Sequence, residues 1–345
     1  MIRGRMPVDI FFFSVVCALC WSGYASAESM RMAGSASAAP LVPAGSDAGF
    51  PVTPPCDAVC LEALADRYLA ALEVRNPLLL PWAGRVRFSE NNVMLHVGDG
   101  LWATVSAKSL HALKFTDPER GEVGIMALVE QRGQPAFFAS RLKVVDGKLV
   151  EVESLVNQPD PALPPSPGGG DPKTYFHYPH MYKVLPVSQR TPRRRMIDLA
   201  NGYFSTLQLN DGKLFTLFSD DCRRQENGFE SAGNPKFDRP EGKLSCGEQF
   251  KLGNFIFDSA VRDRDYMLVD EARGLVLSRA FIDHNAAATE GKLADGTRVK
   301  SWIRKPGSLS MLELFHITDG SIDRIEVVHI DVPFGMPSVW RRDSD

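Results

Sequence analysis

Three short motifs occur twice in this chain, in the same order. Phe88-Ser-Glu90-Asn91 matches Arg224-Gln-Glu226-Asn227, Asp117-Pro-Glu-Arg120-Gly121 matches Asp270-Glu-Ala-Arg273-Gly274, and the alternating run around Asp146-Gly147 matches the run around Asp319-Gly320. Asp-Gly between two alternating apolar runs is the strongest short-range hairpin signal, because a type I′ turn needs positive φ at both central residues. Each half therefore ends in a long hairpin. Each also opens with one amphipathic helix: Leu61, Leu64, Ala65, Tyr68, Leu69 and Leu72 recur at helical spacing in the first, and Met196, Leu199, Ala200, Tyr203, Phe204 and Leu207 in the second. A helix followed by strands, written twice, predicts two copies of one α+β fold.

The copies differ in length at one place. From Arg120 to Asp146 is 26 residues and from Arg273 to Asp319 is 46, and the excess falls in the polar segment 285–307, read as a loop inserted between equivalent strands. Between the copies, nine prolines from Gln158 to Pro192 exclude regular helix or inner strand. The later part of this connection, Thr174 to Tyr182, is too aromatic to be only solvated and is expected to pack as a lid over a pocket.

Of the 345 residues 44% are hydrophobic, and 39 Lys plus Arg against 42 Asp plus Glu give a net charge of -3. That is ordinary globular composition with no global electrostatic footprint for nucleic acid or an anionic membrane, so a small neutral ligand fits better. Arg3 and Arg5 precede an apolar stretch from Ile10 to Trp21, and Ala25-Ser26-Ala27 offers the small residues that signal peptidase accepts. Residues 1–27 are read as a signal peptide, 28–55 as a flexible leader, 56–157 and 193–340 as the two domains, and 158–192 as the linker. The mature chain is then periplasmic or secreted, with no membrane segment after cleavage. In an oxidising compartment Cys56, Cys60, Cys222 and Cys246 favour two disulfides; three connectivities are open, and proximity favours Cys56 with Cys60 and Cys222 with Cys246.

The repeated plan resembles the nuclear transport factor two-like superfamily, also called SnoaL-like, over about residues 56–157 and 193–340. Cys56-Asp-Ala-Val-Cys60, Val261-Arg-Asp-Arg264, Val269-Asp-Glu-Ala-Arg-Gly-Leu275 and Pro333-Phe-Gly-Met-Pro337 are similar to a tandem branch of it. The resemblance implies, in each domain, a helix packed in a curved antiparallel sheet. It also implies a spread of functions: cofactor-free isomerases, cyclases, dehydratases, formaldehyde-releasing lyases acting on lignin-derived diaryl compounds, and members with no catalysis. Fold alone does not choose among these.

The side chains narrow the choice. With a two-residue turn at Asp319-Gly320, one face of the last hairpin carries Leu312, Leu314, His316, Ile325, Val327 and His329, and the other carries Met311, Glu313, Phe315 and Arg324. Both faces are largely apolar, so both should be covered, one by the helix and one by the other domain or a partner subunit, the latter giving a homodimer through the sheet faces. Arg279, in an apolar strand, requires a carboxylate or a bound anion, and Glu313 is the candidate partner. Asp283-His284 precedes the inserted loop and puts a carboxylate and an imidazole near a pocket mouth, although adjacent strand residues face opposite ways. The run Asp220 to Asn227 is read as a solvated edge, with pocket roles for Asp221 or Arg224 as the lesser reading. Tyr203 looks like the helix-borne tyrosine that some superfamily members aim at a developing oxyanion.

The expected catalytic set is Tyr203, Asp283, His284 and His329, and the expected substrate contacts are Arg279, Glu313, His316, Tyr178 and His180. The first copy offers Tyr68, His96 and His111 instead, so any activity belongs to the second. His177-x-x-His180 has no carboxylate close in sequence, and G-x-S-x-G, H-E-x-x-H, P-loop and dinucleotide motifs are absent, so neither a metal nor a cofactor is expected. Together these predict an exported, cofactor-independent lyase, dehydratase or isomerase acting on a small aromatic or phenolic molecule. A formaldehyde-releasing lyase on lignin-derived diaryl compounds is one form of this reading, and the alternative is a non-catalytic ligand-binding or dimerisation module.

Overall fold

The computed structural model describes residues 56–160, 162, 170–237, 240–301 and 303–341, so the expected signal peptide and leader lie outside the described residues. The first half runs α1 (Ala58–Glu73), β1 (Trp82–Glu90), β2 (Val93–Met94), a short α2 (Leu101–Thr104), β3 (Val105–Asp117), β4 (Glu122–Gln131), β5 (Gln134–Val145) and β6 (Lys148–Asn157). The second runs α3 (Arg193–Leu209), β7 (Phe218–Glu226), β8 (Phe229–Ala232), α4 (Pro240–Lys243), α5 (Cys246–Leu252), β9 (Ala260–Asp270) and β10 (Leu275–His284). It continues with β11 (Glu290–Lys292), β12 (Arg298–Lys300), β13 (Gly307–Thr318) and β14 (Ser321–Val332).

The strands form two six-stranded sheets, ordered β2-β1-β6-β5-β4-β3 and β8-β7-β14-β13-β10-β9. The path is the same in both. The sheets are mixed, not antiparallel as expected: β1 runs parallel to β6, and β7 parallel to β14. The chain leaves β1 or β7 for the far edge of its sheet, meanders back through antiparallel neighbours, and arrives beside its starting strand in the same direction. The extra segment of the second half folds into the small β11–β12 hairpin.

The matched motifs occupy corresponding turns. Gly121 (φ 61°) and Gly274 (φ 71°) close the β3–β4 and β9–β10 turns, where a Cβ would come within 2.5 Å of the Val144 carbonyl and 2.2 Å of the Ile317 carbonyl. Asp146-Gly147 and Asp319-Gly320 have positive φ at both positions, as their hairpins require.

The second of these hairpins departs from its expected register by one residue. Its strands pair Thr318 with Ser321 and Ile317 with Ile322, then His316 with Arg324. Asp323 is the extra residue of a β-bulge, and a one-residue slip sends every later side chain to the other face. Met311, Glu313 and Phe315 therefore share the inner face with Ile325, Val327 and His329, while Leu312, Leu314 and His316 share the outer face with Val328 and Ile330. His316 and His329, expected together, point to opposite sides.

Each helix buries its apolar stripe on the inner face of its own sheet: Leu61, Tyr68 and Leu72 of α1 meet Phe88 and Phe138, and Met196, Tyr203 and Phe204 of α3 meet Phe315 and Ile325. A third cluster joins the outer faces, with Met126 and Phe137 of the first sheet packed with Leu268, Leu275 and Leu314 of the second. Tyr175, Tyr178 and Met181 of the aromatic connection belong to this cluster. The connection is thus a wedge against the outer faces and not a lid. The outer apolar faces, expected to be covered by the other domain or by a partner subunit, are covered by the other half of the chain.

His177 fixes the wedge. Its Nδ1 lies 2.5 Å from Glu326 Oε2, and its Nε2 lies 3.2 Å from the Met126 carbonyl on the other sheet. Burial opposes the charge on this imidazole, but Glu326 outweighs it and raises the pKa. The disulfides are Cys56–Cys60 and Cys222–Cys246, as proximity favours. Among the described residues no helix is long and apolar enough to cross a membrane.

Candidate active site

A cavity of about 280 Å³ lies inside the second sheet, bounded by α3, β13, β14 and the inserted hairpin. Leu207, Phe255, Phe257, Ile282, Ile303 and Met311 supply its apolar wall. In size and lining it suits a single small molecule with one or two polar groups. Inside the first sheet Tyr68, Phe88, Trp102 and Phe138 belong to one buried cluster.

Glu313 of β13 is the unusual group in the wall, with 2% of its surface exposed. Burial pushes its carboxyl up to about 8, against the downward pull of the Arg224 guanidinium and the Tyr203 hydroxyl. At neutral pH it is therefore chiefly a carboxylic acid, able to donate a proton or a hydrogen bond. Tyr203 reaches it from α3, its ring wedged edge-on between Phe250 and Phe315 at 5.4 and 5.0 Å. Burial holds this phenol protonated far above its ordinary range.

Arg224 enters from β7. Its Nε donates to Glu226 Oε1 at 2.7 Å and to Ser231 Oγ at 3.1 Å, and one terminal nitrogen donates to Gln249 Oε1 at 2.9 Å. The other terminal nitrogen, Nη1, is buried with no hydrogen-bond partner among the described residues. The Cys222–Cys246 disulfide joins β7 to α5, the helix that carries Gln249, so one crosslink fixes both the guanidinium and its support. A rigid fork of this kind can hold an oxyanion or a phenolate.

Two imidazoles complete the wall. His329 of β14 pairs across from Met311, which makes it the diagonal same-face neighbour of Glu313. His284, at the end of β10, has its Nε2 2.9 Å from Asp258 Oδ1, and both line the cavity. A carboxylate on one ring nitrogen fixes the tautomer and the ring orientation.

Of the expected site residues, Tyr203, Glu313, His284 and His329 are brought together. The others are not. Asp283 faces away, clamped by Arg262 at 2.9 and 3.0 Å and by Ser308 at 2.5 Å. Although burial works against its charge, those donors hold its carboxyl below the usual range, so it is a structural anion and not a base. Arg279 points to the outer face and pairs with Glu153 of β6 at 2.7 Å and with Asp265 at 2.9 Å, not with Glu313. His316 lies on the outer face against Asp323, with His180 beside it. Tyr178 donates to Glu230 at 2.7 Å from within the wedge, away from the cavity.

Asp258 is absent from the sequence reading, and Arg224 enters it only as the lesser alternative. Between a solvated edge and a pocket role for Arg224, the repeat carries a signal for the pocket: the matching position of the first half is Phe88, a buried core residue. An arginine where the other copy has a core phenylalanine marks a half that keeps space and charge inside. Asp258 carries no such signal, because it lies on an irregular segment before β9 and meets His284 only through the tertiary fold.

Residues 189–329 match a family described as "Domain of unknown function (DUF8021)", which spans less than half of the chain. No curated protein matches. Among solved structures, the chain is similar to AclR, a candidate hydroxylase from Streptomyces galilaeus, at 17% identity over 30% of this chain and 81% of that one, TM-score 0.26. It is similar to a candidate isomerase from Bacillus subtilis at 15% identity over 40% and 87%, TM-score 0.27. A de novo designed protein with a curved β-sheet matches at 17% identity over 29% and 85%, TM-score 0.24.

Proposed function

We propose that this chain is an exported enzyme made of two tandem nuclear transport factor two-like domains, in which the second binds a small aromatic or phenolic molecule and moves a proton without a cofactor. The observation that carries this reading is the neutral Glu313 carboxyl beside Arg224, in one apolar cavity with two imidazoles. A group poised near working pH next to a cation is what acid–base catalysis requires. The first domain, with its aromatic core, serves as the platform against which the second is held.

In a dehydration or lyase step, His329 accepts the proton of the substrate, and Glu313 gives its proton to the departing hydroxyl, which leaves as water. Arg224 and Tyr203 steady the oxyanion or phenolate that develops between those events. In an isomerisation the same proton is removed at one atom and returned at another. His284, held by Asp258, orients the polar end of the substrate at the side of the inserted hairpin.

The test is an assay of purified, chelator-treated protein against phenolic diaryl and polyketide-like substrates. Glu313→Gln and His329→Ala should each lower kcat by roughly 10²-fold or more. Asp283→Asn, on the far side of the sheet, should leave kcat unchanged. Activity that needs added metal or nicotinamide, or that survives both cavity substitutions, removes the proposal. Ligand binding without turnover leaves the non-catalytic module as the reading.

A further inference from the structure

The bulge at Asp323 has a result on the outer face, away from the cavity. By adding a residue to β14 it brings the Asp323 carboxylate to His316 of the neighbouring strand, with Oδ1 2.5 Å from His316 Nδ1. The connection between the halves then lays His180 over the pair, its Nε2 3.4 Å from Asp323 Oδ2 and its ring centroid 4.9 Å from that of His316. One ligand atom from each of the three lies within 4.8 Å of the others.

The geometry points to a binding site for a divalent transition metal of the zinc class, built from His180, His316 and Asp323. Two imidazoles and one carboxylate are a ligand set that first-row ions of this kind favour, and ligand bonds of about 2.1 Å place ligand atoms roughly 3.3 Å apart. Two of the three pairings, His316 with Asp323 at 2.5 Å and His180 with Asp323 at 3.4 Å, are already near or inside that spacing. His316 and Asp323 are fixed in the sheet and buried, whereas the His180 side chain is 35% exposed on a short 3₁₀ turn and can swing to close the set. His316 is 1% exposed, and its Nδ1 is the nitrogen that faces the Asp323 carboxylate, so an ion bound there would take the place of the proton the two groups share.

Arg324 is the opposing charge. Its Nη1 stays 3.9 Å from Asp323 Oδ2, while its Nη2 is drawn off to Asp221 at 3.1 Å. That leaves the Asp323 carboxylate directed at the two imidazoles. The ion would clip the aromatic connection to the last hairpin, and the fourth position would face solvent past His180. The sequence hides this site because His177-x-x-His180 has no carboxylate nearby, and the one that serves lies in a hairpin bulge over a hundred residues later.

Zinc alone, titrated into the chelator-stripped full chain by calorimetry and thermal unfolding, tests the site. One zinc should bind per chain and raise the unfolding midpoint. His180→Ala, which removes a half-exposed side chain and should leave the apo midpoint and circular dichroism unchanged, should weaken zinc binding by at least about tenfold, and Asp323→Asn should do the same. Folded wild-type protein that takes up no zinc at about 100 μM overturns the proposal. So does zinc bound equally well by wild type and His180→Ala, since the ion then sits elsewhere.

Discussion

Asp117 and Asp270, the first residues of the two matched turns, reach across to each other's strands. The Asp270 carboxylate accepts the backbone N–H of Thr116 at 3.1 Å, and the Asp117 carboxylate accepts that of Val269 at 2.9 Å. The residue just before each aspartate is thus capped by the other aspartate, an exchange with approximate two-fold symmetry. Both carboxylates are buried, and Asp117 also receives Arg193 from the start of α3. The two corresponding turns therefore form a joint between the halves of the chain.

Replacing either aspartate by alanine should destabilise the chain by about 2 kcal/mol, because each change strands a buried backbone donor. Urea unfolding of the single and double variants measures this. The double variant should lose less than the sum, since opening one side of the joint loosens the other. A loss below about 0.5 kcal/mol for both single variants would mean the exchange is incidental.

Arg279 makes a contrasting case. Arg279→Met leaves Glu153 buried with Arg141 alone, whose Nε is 3.5 Å away, and should cost about 3 kcal/mol, the low end for breaking a buried pair. Turnover should be unaffected, because the guanidinium lies on the outer face. A fall in kcat without a fall in stability would return Arg279 to the site from which the register removes it.

The two disulfides should differ in worth. Cys222 and Cys246 close 24 residues and Cys56 and Cys60 only four, so chain entropy assigns the former roughly 3 kcal/mol and the latter much less. Replacing the first pair with alanine should lower the unfolding midpoint and also release Gln249 from Arg224, weakening phenol binding. Equal effects from both pairs would contradict the role given to the β7–α5 crosslink.

The helices, the turns and the hairpins were legible because each rests on local chemistry: helical spacing of apolar residues, and Asp-Gly at positions needing positive φ. The face assignment of β14 was not. A single bulged residue, Asp323, exchanged His316 for Glu313 on the inner face, and nothing in an alternating run announces where a strand will bulge. The partner of Arg279 was equally out of reach, since Glu153 comes from the other half through packing of the outer faces. Arg224 stood in view at the place where the first copy has Phe88, and reading the differences between the copies rather than their likeness brings it out.

Glu313 also links the cavity to pH. Its folded-state pKa, about 8, lies above the ordinary value of 4.5, so the fold favours the protonated form. Stability from this group is full below about pH 4.5 and is lost progressively as pH rises through about 8. Glu313→Gln should remove that loss, making the variant the more stable protein at pH 9 by chemical denaturation. A variant and wild type that lose stability in parallel from pH 5 to 9 would show that Glu313 is ionised in the fold at no cost.

The most direct measurement is a ¹³C NMR titration of the glutamate side-chain carboxyls in the full chain. One resonance, absent from Glu313→Gln, should titrate with a midpoint about 8 and shift when a phenolic ligand enters the cavity. If every glutamate carboxyl titrates within its ordinary range near 4.5, Glu313 is a plain carboxylate at neutral pH and the acid–base account of the cavity is wrong.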